Sequence, residues 1–75
     1  MNEIEIDARG LLCPLPVLKL AKRIKALATG DQVRLLADDP AAVVDVPHYC
    51  TESRHELLSV TEGDGCQIYL VRKTG

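Results

Sequence analysis

A chain of 75 residues with 9 basic and 11 acidic side chains, formal net charge −2 at neutral pH, has no overall electrostatic reason to bind nucleic acid. One domain of this size buries only about 60% of the surface its unfolded chain exposes, so its stability is modest. With no Phe or Trp, its core has to come from Leu, Val, Ile and Ala. The three cysteines, Cys13, Cys50 and Cys66, are odd in number and widely spaced, which is not a disulfide framework. No segment approaches the ~18 consecutive apolar residues of a membrane span, and Met1-Asn2-Glu3 opens no basic leader. The expectation is one domain, residues 1–75, in a reducing cytoplasm.

Glu3 to Asp7 alternates strictly, placing Ile4 and Ile6 on one buried face of a strand. A short loop then leads to Pro14-Leu15-Pro16, which reads as a helix start because proline is tolerated where an N–H has no intrahelical partner. That reading puts Cys13 at the N-cap, in the positive field of the helix, where a thiolate is favoured over a thiol. The prolines remove two backbone donors near the sulfur and leave the Leu15 N–H as the close one, while Gly10 lets the loop take a positive φ. The alternative is that Cys13 is a small buried hydrophobe at a strand-to-helix corner.

Val17, Leu20, Ala21, Ile24, Leu27 and Ala28 recur at helical spacing, predicting an amphipathic helix that stops at Gly30. Lys19, Lys22, Arg23 and Lys25 line its solvent side, and no acid occurs between Pro14 and Gly30. Such cations complement the helix dipole; Lys19, Lys22 and Arg23 are also candidates for docking an acidic partner beside Cys13. Asp31 to Asp38 reads as a second strand, with Leu36 partly buried on its other face. Asp39 at an N-cap and Pro40 at the first position open a second helix, with a kink or short break expected before Pro47 and a continuation to about Ser53. Leu57–Glu62 and Gln67–Arg72 form a hairpin across Gly63-Asp64-Gly65. The order is βαβαββ: a two-layer α/β sandwich whose mixed four-stranded sheet carries both helices on one face, the first two strands parallel and the last two antiparallel.

Asp7, Gly10, Cys13, Pro14 and Pro16 match the pattern D-x-x-G-x-x-C-P-x-P, which resembles the signature of the TusA/SirA family of small sulfur carrier proteins. Gly30-Asp31, Asp39-Pro40, Asp45-Val46-Pro47 and the Cys50 region follow in that family's order, so the resemblance covers Glu3 to Arg72. It implies a persulfide carrier with sulfurtransferase activity and no cofactor. Cys13 would accept sulfane sulfur from a cysteine desulfurase or rhodanese-like donor and pass it to an acceptor protein, for example towards tRNA 2-thiouridine synthesis.

Cys13, Cys50, Cys66, His48 and His55 lack the close-spaced ligand pairs of a zinc site, so no metal is expected. Pro16 stands where a thioredoxin-like resolving cysteine would be. Cys50 and Cys66 read as structural, His48 and His55 as exposed loop residues, and Tyr69 as the one aromatic on an open sheet face, too little for stacking RNA. A regulatory protein-interaction module without sulfur chemistry is the rival function, and persulfide loading of Cys13 separates the two.

Overall fold

The computed structural model describes residues 3–75; Met1 and Asn2, which entered the reading of the N-terminus, lie outside the described residues. Its elements are β1 (Glu3–Asp7), α1 (Leu15–Ile24), β2 (Gln32–Ala37), α2 (Ala42–Ser53), β3 (Glu56–Glu62) and β4 (Gln67–Arg72). They form an α/β fold with one mixed sheet in the order β1-β2-β4-β3. β1 runs parallel to β2, and β4 pairs antiparallel with both β2 and β3.

Strand alternation decides which side is buried. Ile6, Val33, Leu35, Ala37 and Val71 share a face and pack with Leu20 and Ile24 of α1 and Ala42, Val46 and Cys50 of α2. Both helices therefore cover the same side. Each fully buried aliphatic contributes about 1.5–3 kcal/mol relative to exposure, which is how a core without Phe or Trp holds the chain together. Leu36 is half-buried on the opposite side, as its position in the alternation requires.

Tyr69 corrects the expectation of an aromatic on the open face. Its register partner is Leu35, so it points into the helix-covered layer and is 0% exposed. Hairpin phase alone left the face of β4 undetermined; pairing with β2 decides it.

α1 buries Pro16, Leu20 and Ile24, one turn apart along a single stripe, and is shorter than its periodicity suggests. After Ile24 the chain tightens into turns, with Ala26 N–H donating to Arg23 C=O and Leu27 N–H to Ile24 C=O, and then leaves the helix. Leu27 still packs on the core, so its apolar spacing is kept without α-helical geometry. The Lys73 ammonium donates to the Leu27 carbonyl at 2.7 Å, serving one of the acceptors that the helix end leaves open.

α2 runs unbroken through Pro47, where a kink or break was expected. Proline there removes only the N–H that would reach the Val43 carbonyl, and Val43 lies on the water side of the helix. The start is also displaced: Ala41, not Asp39, is the N-cap. Asp39 still serves this end, accepting Ala41 N–H on its carboxylate and Ala42 N–H on its carbonyl. The helix closes on Arg54 at φ 61, with Arg54 N–H donating to Thr51 C=O and His55 N–H to Cys50 C=O.

Candidate functional site

β1 ends at Asp7, whose carboxylate accepts two hydrogen bonds from the Arg9 guanidinium and one from the Arg9 backbone N–H. The Arg9 charge holds the Asp7 carboxyl well below the usual carboxylate range, and the aspartate reciprocally raises Arg9. Lys19 Nζ donates to the Asp7 carbonyl at 2.7 Å, tying α1 to the end of β1. Gly10 takes φ 81, as its place in the loop suggested. Its N–H donates to the Asp38 carboxylate at 3.0 Å, so the loop is fastened to the end of β2.

Cys13 follows, one residue earlier relative to the helix than its sequence context suggests. Pro14 is the N-cap, Leu15 and Pro16 open the helix, and the Cys13–Pro14 peptide is cis. The Leu15 N–H is not a donor to the sulfur: it is engaged by the Leu12 carbonyl at 2.9 Å. The Cys13 N–H donates to Asp39 Oδ2 at 2.5 Å.

The thiol itself is exposed, whereas Cys50 and Cys66 are buried, as their structural reading expected. Burial pushes the Cys50 thiol up to about 11, so it is inert at neutral pH. Cys66 sits in the loop just before β4.

The charge environment of Cys13 reverses the helix-dipole expectation. Its pKa is raised, first because the thiol donates a hydrogen bond to the Asp45 carboxylate, then by partial desolvation and by the negative charges of Asp45 and Asp39. The sulfur stands one residue outside the helix, whose dipole effect fades within a turn.

Beside the sulfur lies a groove of about 370 Å³ between α1 and α2, lined by Cys13, Pro14 and Val17 on one side and by Asp45, His48, Tyr49 and Glu52 on the other. His48 belongs to α2 and not to a loop, and faces Glu52 at 3.6 Å. The α2 contribution was missed in reading the sequence, although positions 45, 48, 49 and 52 have the i, i+3, i+4, i+7 spacing of one helix stripe. The stripe is continuous only because α2 runs unbroken through Pro47.

Of the cations proposed for docking, Lys19 is drawn back to β1, and Lys22 and Arg23 stand exposed in the last turn of α1. At a rise of 1.5 Å per residue, the latter two lie about 10 Å along the axis from the first turn. Among the described residues no group of three or more His, Cys, Asp or Glu side chains is arranged for a metal ion, and no helix is long and apolar enough to cross a membrane.

One exposed thiol held at the rim of a shallow groove, at the corner where β1 passes into α1, defines a small thiol-presenting α/β domain. The model of the family described as Sulfurtransferase TusA matches residues 4–73. A relative from Pseudomonas entomophila (strain L48), Sulfur carrier protein TusA, is 38% identical over 73 residues, covering 97% of this chain and 91% of its own length. The chain belongs to the TusA family.

Proposed function

We propose that this protein is a persulfide sulfur carrier in which Cys13 is the residue that bears the sulfur and the chain 1–75 acts as a single carrier domain. The observation that carries the assignment of the residue is exposure: of three cysteines, only Cys13 reaches solvent. Family membership supports the chemistry.

Sulfur transfer needs no net oxidant. The Cys13 thiol gives up its proton to solvent base, and the thiolate attacks the outer sulfur of a donor persulfide. One S–S bond forms as the donor's S–S bond breaks, and the donor cysteine leaves as a thiolate that recovers a proton. In the second half, an acceptor thiolate attacks the outer sulfur of the Cys13 persulfide and Cys13 leaves as the thiolate. The groove beside the sulfur leaves space for the partner's cysteine to approach in both halves.

The donor in this reading is a cysteine desulfurase or rhodanese-like protein, and the acceptor a protein thiol, for example on the way to tRNA 2-thiouridine. The setting is the reducing cytoplasm, which keeps the thiols free. Asp7, Gly10, Pro14 and Pro16 support the loop, and Lys19, Lys22 and Arg23 serve partner docking.

The test is loading. Incubated with a cysteine desulfurase and cysteine, the protein is expected to gain the mass of one sulfur atom on the peptide containing Cys13. Cys13→Ser abolishes the gain, while Cys50→Ala and Cys66→Ala retain it. A sulfur adduct persisting in Cys13→Ser would move the function to another residue, and no loading at all would favour an interaction module.

A further inference from the structure

We propose that Asp39 is a positioning residue that holds the sulfur-bearing loop against the start of α2, with Asp38 fastening the same loop at its other end. The inference rests on the reading of Cys13 as the sulfur carrier, and concerns how that cysteine is presented.

The loop has little structure of its own. Ala8 N–H continues the ladder to Leu36 C=O and Leu11 N–H turns back to Ala8 C=O. Between those bonds and the first turn of α1, the chain is held from across the fold. The Gly10 N–H lies 3.0 and 3.2 Å from the two Asp38 carboxylate oxygens, and the Cys13 N–H lies 2.5 Å from Asp39 Oδ2.

Asp39 is the more constrained of the pair. It is only 9% exposed, and its other oxygen accepts the Ala41 N–H at 3.2 Å. A single buried carboxylate thus joins the main chain of Cys13 to the turn that leads into α2. Asp45, six positions further along, lines the groove beside the Cys13 side chain. The backbone and the side chain of Cys13 are therefore referenced to the same helix end, which sets the sulfur at the rim of the groove. Hydrogen bonds to an ionised carboxylate are shorter and stronger than neutral ones, so a buried one suits a loop that must hold its geometry while partners change.

If Asp39 served only to start α2, its replacement would lower stability and leave Cys13 amide exchange and sulfur loading in the folded molecule unchanged, the alkylation shift following from the lost charge in either case. With a positioning role, the variant shows two changes of opposite sign. The ionisable groups facing the sulfur are Asp39 from the β2–α2 connection and Asp45, His48 and Glu52 from α2, whereas α1 and its cap present only Pro14 and Val17 there. Taking away the Asp39 charge removes a cause that disfavours the thiolate, so alkylation of Cys13 by a small neutral reagent shifts to lower pH and is faster at neutrality. Transfer between proteins depends on the placement of the sulfur and falls by at least about tenfold, the scale on which small misplacements act.

The experiment uses the full chain with Asp39→Ala, Asp39→Asn and, for the other anchor, Asp38→Ala, each checked for folding by circular dichroism. Alkylation of Cys13 is followed against pH, exchange of the Cys13 amide proton is measured, and sulfur loading from a cysteine desulfurase is timed. Expected for Asp39→Ala are faster amide exchange at Cys13, an alkylation profile displaced to lower pH, and slowed loading. Asp39→Asn keeps one accepting oxygen, so its amide exchange and loading fall between Asp39→Ala and the parent while its alkylation profile, the charge being gone, moves as in Asp39→Ala; it carries the test if Asp39→Ala does not fold. A folded variant with parental loading and parental Cys13 amide exchange overturns the proposal, as does one in which alkylation and loading fall together. Should Cys13→Ser still load sulfur, the carrier reading fails instead, and amide exchange still decides whether Asp39 positions the loop.

Discussion

A cysteine is reactive through its thiolate, and at Cys13 neighbouring acids disfavour that form. The carboxylate of Asp45, together with partial desolvation and the charge of Asp39, raises the pKa of the sulfur. The sign follows directly. A thiol above its ordinary value of about 8.5 is mostly protonated at neutral pH, so alkylation by a small neutral reagent is slow there and rises only as pH passes the raised value. Asp45→Asn removes the first cause of the shift and moves the alkylation profile towards lower pH. An unchanged profile, measured by mass spectrometry over a pH series, would show that the carboxylate does not disfavour the thiolate. The buried Cys50, lacking any such neighbour in the groove, stays unlabelled in the folded protein at all neutral pH values.

The elements are joined by hydrogen bonds that answer the polar groups their ends expose. Lys73 reaches the carbonyl of Leu27 after α1, Asp39 takes the N–H groups before α2, and Arg54 turns the chain out of α2 in the left-handed region. That last position suits glycine, because a side chain with a Cβ is strained at φ 61. Arg54→Gly is expected to raise stability by about 1 kcal/mol, read from urea denaturation, with the loading of Cys13 unaltered. A lowered midpoint would mean that the Arg54 side chain contributes more than its backbone costs. The element types and most of their bounds could be read in the sequence because alternation and helical spacing are local. The C-terminal end of α1 and the start of α2 could not, since turn geometry, the lysine near residue 75 and the Asp39 bridge come from elsewhere in the fold.

Across the whole molecule, charge is divided between the two helices. α1 carries Lys22 and Arg23 in its last turn, and α2 lines the groove with Asp45 and Glu52. If the cations of α1 dock partners, reversing Lys22 and Arg23 to Glu slows sulfur transfer while leaving alkylation of Cys13 at its parental rate. The effect on the parent weakens as salt rises, since such steering is screened over about 8 Å at physiological ionic strength. Equal transfer by parent and charge-reversed protein to every partner tried, at low and high salt, would leave those cations with only their helix-dipole role.

What the chain settled by itself was whatever depends on neighbours along it: strand alternation from Glu3, the stripe of Pro16, Leu20 and Ile24, the glycine turn after β3, and a cysteine between a loop and two prolines. Those features were enough to identify the family and to single out Cys13. Only the tertiary structure decided the face of Tyr69, which depends on the register of β4 with β2, and the polarity around the sulfur, which depends on α2. Asp38, Asp39 and Asp45 are separated from Cys13 by more than twenty residues of sequence and meet its loop only because β2 lies beside β1 and returns the chain to the same edge of the fold. A charge acts through space and not along the chain, so the pKa of Cys13 was not written in the residues next to it.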